Sequence, residues 1–167
     1  MTYTEKTLDT AGTGIEGTYI HSAKDYPATS LAVQYVEAGL GIVPLIRGQK
    51  RPDGKAWQKP ENAVTTADAA QAIKHGIGLH HLASRTCAVD VDGWDACASW
   101  FAEHGMSLAQ LFMRDDAVQI QSGKGGRGKV LYRLPDSVEW LPYVKTADGY
   151  LELRCANSAE QSQQDVL

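Results

Sequence analysis

Nothing in this 167-residue chain approaches the roughly 20 consecutive apolar residues that a membrane-spanning helix needs. The opening residues, MTYTEKTLDT, have neither the basic start nor the apolar core of a secretion signal. Cysteine is scarce: Cys87, Cys97 and Cys155 are odd in number and widely spaced, with no C-x-x-C pair. That argues for a reducing cytoplasm and against a disulfide framework or a cysteine zinc site, and the lack of a long apolar run leads us to expect no membrane partner. Basic charge is not in excess either. Sixteen Lys and Arg face twenty Asp and Glu, a net charge of -4, so total charge alone gives no sign of nucleic-acid binding. Internal repeats are missing.

What is present is an ordinary globular composition, 43% hydrophobic and 22% charged, long enough to bury a core without staples. The basic residues are unevenly placed. Arg47, Lys50, Arg51, Lys55 and Lys59 crowd one loop, and Lys124, Arg127 and Lys129 crowd another. Local patches of this kind bind phosphate even on an acidic chain.

The first 20 residues, rich in Thr and Gly and without periodicity, read as a flexible arm ahead of a domain over 21–167. A helix is expected from Tyr26-Pro27 to Gly39, then a short strand over 41–46 whose Pro44 suggests a sheet edge. Thr65-Thr66 caps a second helix over 67–75. Strands follow at 76–80 and 87–92, and an amphipathic helix at 94–104 with a further helical turn or two at 107–112. The alternation then predicts strands at 117–121, 129–134 and 150–155, the first two forming a hairpin. This order implies an α+β (α/β) fold with one mixed, largely antiparallel sheet flanked by helices. The tail 156–167 is rich in Gln and Ser and reads as a boundary inside a longer protein.

Cys87-Ala88-Val89-Asp90-Val91-Asp92-Gly93 carries the clearest chemistry. Residues two apart on a strand share a face, so Asp90 and Asp92 point together. Like charges on one rigid face repel unless a cation neutralises them or water solvates them. A hard divalent ion such as Mg²⁺ or Mn²⁺ takes this type of oxygen donor. Glu152, flanked by Leu151 and Leu153, shares a strand face with Arg154. It reads as a solvent-facing residue, as half of a cross-strand pair with a Lys, or, beside the Asp90 strand, as the third carboxylate of a cage holding two ions roughly 4 Å apart for phosphoryl transfer.

The stretch Gly123-Lys124-Gly125-Gly126-Arg127-Gly128-Lys129 nearly matches a P-loop. Val130 supplies no hydroxyl for Mg²⁺, and a strand pattern follows where a P-loop needs a helix. Its glycines still let backbone N–H groups approach an anion, with three cations beside them.

These stretches together resemble the N-terminal primase–polymerase (Prim-Pol) domain of the archaeo-eukaryotic primase superfamily, found in replication proteins of phages, plasmids and prophages. The resemblance spans roughly Tyr26 to Glu152. "YVEAGLGIVPLIRGQKRP…W" resembles the opening helix, strand and basic loop, and "GIGLHH…CAVDVDGWDACASW" the strand pair with the D-x-D motif. "VQIQSGKGGRGKVLYRLP" resembles the Ser/Gly-rich hairpin, and "LELR" the third acidic motif. The resemblance implies a primase-like catalytic core with an RRM-like part. It implies DNA primase and polymerase activity, with Asp90, Asp92 and Glu152 as catalytic residues and ligands to Mg²⁺ or Mn²⁺. Ser122, Lys124, Arg127 and Lys129 would grip a nucleoside triphosphate. Arg47, Lys50, Arg51 and Lys55 would touch a single-stranded DNA template or primer. A helicase further along the chain and a bacterial host cytoplasm are the implied setting. One position departs from the pattern: the family's usual phosphate-contacting histidine is replaced by Lys129, a point charge without a titratable ring. His80 and His81 are its candidate substitutes. A non-catalytic nucleotide- or nucleic-acid-binding module is the alternative reading.

Overall fold

A computed structural model describes residues 28–121, 124–146 and 148–166. The N-terminal arm and Ser122 lie outside the described residues. The chain begins with α1 (Ala28–Glu37), followed by β1 (Ile42–Pro44), a 3-10 turn at Pro60–Asn62 and α2 (Ala67–Gln71). Next come β2 (Ile77–His80), α3 (His81–Ser84), β3 (Thr86–Val91), α4 (Trp94–Glu103) and α5 (Leu108–Phe112). Strands then dominate: β4 (Val118–Gln121), β5 (Gly128–Arg133), β6 (Val144–Lys145), β7 (Leu151–Arg154), β8 (Ala156–Ser158), β9 (Gln161–Ser162) and β10 (Gln164–Val166).

The fold is α+β and its strands pair antiparallel, as largely expected, but among the described residues they form three sheets where one was read. Five strands are ordered β4-β5-β3-β7-β6, three are ordered β1-β2-β10, and β8 pairs with β9. The difference arises in the tail. Residues 156–166 carry no apolar alternation, yet they form three short strands whose ladders are made by the backbone. β10 adds to the free edge of β2, which leaves β1 as an edge strand, the place expected for Pro44.

The five-stranded sheet is sided by the period of two. Val89, Val91, Val130 and Leu151 point to the back, where Cys97 and Phe101 of α4 and Leu108 and Phe112 of α5 complete the main core. Both helices start where the sequence supplies a stop to extended chain. Ser107 caps α5 by accepting from the Gln110 N–H, and Gly93 precedes α4. On the front face, Ala88 and Leu131 meet Leu79 of β2 in a small apolar cluster. The three-stranded sheet therefore rests against one end of the front face. Its own outer side is covered by Ala32 and Val36 of α1 and Ala70 of α2, packed with Ile42 and Ile77. The polar front residues that Leu79 does not cover form the site.

Candidate nucleotide and metal site

The registers of the five strands align one row across the front face, polar from Lys129 to Lys145. Ile120 stands opposite Lys129, Lys129 opposite Asp90, Asp90 opposite Glu152, and Glu152 opposite Lys145. The alternation that sends Val89 and Val91 into the core forces Asp90 onto this row. Asp92 lies one step past the end of β3, where its N–H donates to the Tyr150 carbonyl at 2.7 Å. Two residues on from Glu152, Arg154 shares its face and reaches back across the row.

Ion pairs connect the row. The Arg154 guanidinium sits 3.2 Å from Asp90 and 2.8 Å from Glu152. Lys129 lies 3.4 Å from Asp90, Lys145 lies 2.6 Å from Glu152, and Arg127 lies 3.5 Å from the half-exposed Asp92. The repulsion that made the Asp90–Asp92 pair notable is thus offset by the chain's own cations. The cross-strand Glu152–Lys145 pair is one of the arrangements expected for a mid-strand Glu. Burial raises the Glu152 pKa, but Lys145 and Arg154 outweigh it and hold the carboxyl below its ordinary value. Burial likewise works against the Arg154 charge, and Asp165, Asp90 and Glu152 overcome it and raise its pKa.

A fourth carboxylate, Asp165, enters from β10. Its side chain is wholly shielded from solvent and pairs with Lys129, with Arg154 at 3.5 Å and with His81 Nε2 at 3.0 Å. With Nε2 donating to the carboxylate, His81 Nδ1 is left to pair with the Thr86 hydroxyl at 3.0 Å. Burial pushes Asp165 up, but the His81 hydrogen bond and the Lys129 charge hold its carboxyl down at about 2. His80 does different work. Its Nδ1 accepts from the Ala83 N–H and caps α3, and burial lowers its pKa.

A cavity of about 550 Å³ opens between the two sheets, lined by Asp90, Asp92, Arg127, Lys129, Arg154 and Asp165 among others. Lys50 reaches it from the basic loop, and the Gln164 amide donates to the Lys50 carbonyl at 3.3 Å. The other loop cations named from sequence, Arg47, Arg51 and Lys55, are exposed and do not line this cavity. A second hollow of about 460 Å³ adjoins it, lined by Trp94, Phe112, Met113 and Lys124 and sharing Ile120, Arg127 and Gly128 with the first. The glycine loop between β4 and β5 leads into a strand, as its sequence indicates, and not into the helix of a P-loop. Its Gly126 takes φ +73°, which costs little only without a Cβ. The Gly126 carbonyl accepts from the Trp94 N–H at the start of α4.

The structure thus brings Asp90, Asp92, Arg127, Lys129 and Lys50 around one cavity, with Glu152 adjacent but tied to Lys145 and Arg154. Sequence reasoning missed Asp165 and assigned Arg154 no task. Arg154 had a signal, two residues from Glu152 on one strand face, whereas Asp165 in a polar tail had none.

Whether a divalent ion suits these residues is decided by donor chemistry and position. Asp90 and Asp92 are hard oxygen donors on the cavity wall, and Mg²⁺ is commonly held by one or two carboxylates together with substrate phosphates. That mode fits. An all-protein cage does not: among the described residues, no group of three or more His, Cys, Asp or Glu side chains is arranged to hold a metal ion. Among the described residues no helix is long and apolar enough to cross a membrane.

No curated protein matches the chain. The family model described as "Bifunctional DNA primase/polymerase, N-terminal" matches residues 32–162, from α1 through the Asp90–Asp92 strand and the glycine hairpin to β9. A match over that much of the chain, with the carboxylate row inside it, settles the assignment: the chain belongs to the Prim-Pol family of DNA primase/polymerase N-terminal domains.

Proposed function

We propose that this domain joins nucleotides on a single-stranded DNA template, extending a primer or an initiating nucleotide by metal-dependent nucleotidyl transfer. The observation that carries the reading is the juxtaposition of Asp90 and Asp92 with Lys50, Arg127, Lys129 and Arg154 around one cavity. Carboxylates for a cation and cations for a triphosphate are what in-line phosphoryl transfer requires. Strand order supports a primase-like core with an RRM-like part, since β3 lies centrally between β5 and β7 with α4 and α5 on the back. The domain is proposed to span 21–167, around the family match over 32–162.

Asp90 and Asp92 would hold Mg²⁺ or Mn²⁺ together with the triphosphate, and Glu152 across the strand pair would join them only once released from Lys145 and Arg154. The bound ion would supply Lewis acidity to the attacking hydroxyl and neutralise the triphosphate. Lys129 and Arg127 bind phosphate oxygens from the β5 side, assisted by Lys124 and Ser122 of the hairpin loop. Arg154 neutralises Asp90 and Glu152 until a cation and triphosphate take over those contacts. Lys50 faces the nucleotide cavity, while Arg47, Arg51 and Lys55 are set to contact the template backbone. A helicase as a further domain and a bacterial cytoplasm complete the proposed setting.

The test is primer extension by the chain with Mn²⁺, a primed template and deoxynucleoside triphosphates. Extension is expected, and the pair Asp90→Ala with Asp92→Ala should reduce it by at least about 10²- to 10³-fold, the range for one lost electrostatic stabiliser. Extension by that double variant at the wild-type rate would overturn the site. The ion pairs that already neutralise the carboxylates favour one second reading, a binding module without turnover. It predicts triphosphate binding with no pyrophosphate released.

A further inference from the structure

We infer that Asp165, oriented by His81, is a positioning residue that sets the place of the Lys129 ammonium, and through it the domain's affinity for nucleoside triphosphates. This rests on the nucleotide reading of the cavity. Lys129 links the Asp90 row to the second sheet, since its ammonium pairs with Asp165 on β10 as well as with Asp90 at 3.4 Å. A lysine carries its charge on a flexible four-carbon stem, and a free one spreads that charge over a wide arc. Here the arc is closed from one side by a carboxylate that is itself immobile.

Asp165 is immobile for three reasons. It is fully buried on β10, in register with Leu79 of β2. His81 Nε2 donates to its Oδ2, and Oδ1 is left for Lys129 and for Arg154 at 3.5 Å. His81 is itself buried and held from its other ring nitrogen by Thr86, the first residue of β3. The chain Thr86–His81–Asp165–Lys129 thus starts and ends on adjacent strands of the five-stranded sheet and crosses to the second sheet between them. Hydrogen bonds to a buried carboxylate are short and strong because no water competes for it. The same carboxylate pairs with Arg154, so it holds both cavity cations that would otherwise collapse fully onto Asp90. Lys129 and Arg154 are kept between the two carboxylates, within reach of an anion entering the cavity and not committed to the metal-side carboxylate alone.

Asp165→Asn is the informative variant. Asparagine keeps the shape, can accept from Lys129 and can hydrogen-bond His81, so the packing around the position is kept while the charge that restrains Lys129 is removed. Three measurements are compared across wild type, Asp165→Asn, Lys129→Ala and the double variant: the thermal midpoint, binding of a fluorescent nucleoside triphosphate, and KM and kcat for primer extension. Asp165→Asn should weaken triphosphate binding and raise KM about tenfold, with kcat changed less than threefold. The double variant should bind within about threefold of Lys129→Ala alone, because Asp165 acts chiefly through Lys129, its closer partner, and only weakly through Arg154 at 3.5 Å. His81→Gln, which retains a donor toward Asp165, should shift KM in the same direction by a smaller factor and serves if Asp165→Asn does not fold. Unchanged triphosphate binding in the Asp165 and His81 variants, or effects of Asp165 and Lys129 that multiply, would overturn the inference. Wild type that binds triphosphate without extending a primer would sink the transfer reading alone and leave the inference to be decided by binding. Wild type that binds no triphosphate would overturn both.

Discussion

At the scale of single residues, the site is a balanced set of charges. Asp90, Asp92, Glu152 and Asp165 are met by Arg127, Lys129, Lys145 and Arg154. Asp165 has the largest consequence for stability because it is buried and its carboxyl is held down at about 2, below the ordinary 3.8. A carboxyl depressed on folding contributes its stabilisation above the unfolded pKa and loses it as pH falls toward the folded value. The contribution is therefore complete above about pH 5 and disappears toward pH 2, and by linkage it is on the order of 2 kcal/mol. Urea unfolding at about pH 5 and about pH 2.5 should show wild type losing more stability than Asp165→Asn by most of that amount. Equal losses in the two proteins would show that the buried pairs do not depress this carboxyl. The sequence made Asp90 and Asp92 legible because a period of two leaves them no other face once Val89 and Val91 are buried. It hid Asp165, whose partners lie 36 residues away at Lys129 and 84 away at His81. No local pattern distinguishes one Asp in Gln-Gln-Asp-Val from a solvated one.

At the scale of elements, the strands with apolar alternation appear within a residue or two of where the sequence places them. The helix expected over 67–75 is shorter, ending at Gln71. The short turn α3 and the strands β6 and β8 to β10 had no sequence signal, since elements of two to four residues are held by tertiary contacts and not by propensity. α3 shows how. The Gly41 N–H donates to the Ser84 hydroxyl, which donates back to the Gly41 carbonyl, and the His80 N–H donates to the same carbonyl. This close approach needs glycine, because a Cβ on Gly41 would meet the Ala83 Cβ at 2.5 Å and its backbone carbon at 3.3 Å. Gly41→Ala should destabilise the domain by about 1 to 3 kcal/mol, the cost of overpacking a tight contact, read as a lowered midpoint in urea. A midpoint equal to wild type would mean that α3 yields freely, and His81 with it. By the same reasoning Leu108→Ala, in the core behind the row, should cost about 2 to 5 kcal/mol.

At the scale of the whole molecule, an acidic chain gathers cations beside its cavity carboxylates and on one basic loop. Its net charge of -4 gave no hint of nucleic acid, and only the clustering of cations did. The fold turns that clustering into a division: Lys50 lines the cavity between the sheets, while Arg47, Arg51 and Lys55 stay exposed on the loop. If those three touch template phosphates, reversing them to Glu should weaken single-stranded DNA binding. The slope of log affinity against log salt should become shallower by roughly 0.7 for each phosphate that is no longer neutralised. An unchanged slope would remove the loop from the template path and leave the nucleotide site unaffected.

If the cavity is the proposed metal and nucleotide site, Asp90 and Asp92 exchange their basic partners for a divalent cation when a nucleotide enters. Titration of Mn²⁺ with a nonhydrolysable nucleoside triphosphate, followed by the loss of the free Mn²⁺ electron paramagnetic resonance signal, tests it without requiring turnover. Wild type should take up Mn²⁺ together with the triphosphate, and Asp90→Asn with Asp92→Asn should not. Equal Mn²⁺ uptake by the two proteins would contradict the account.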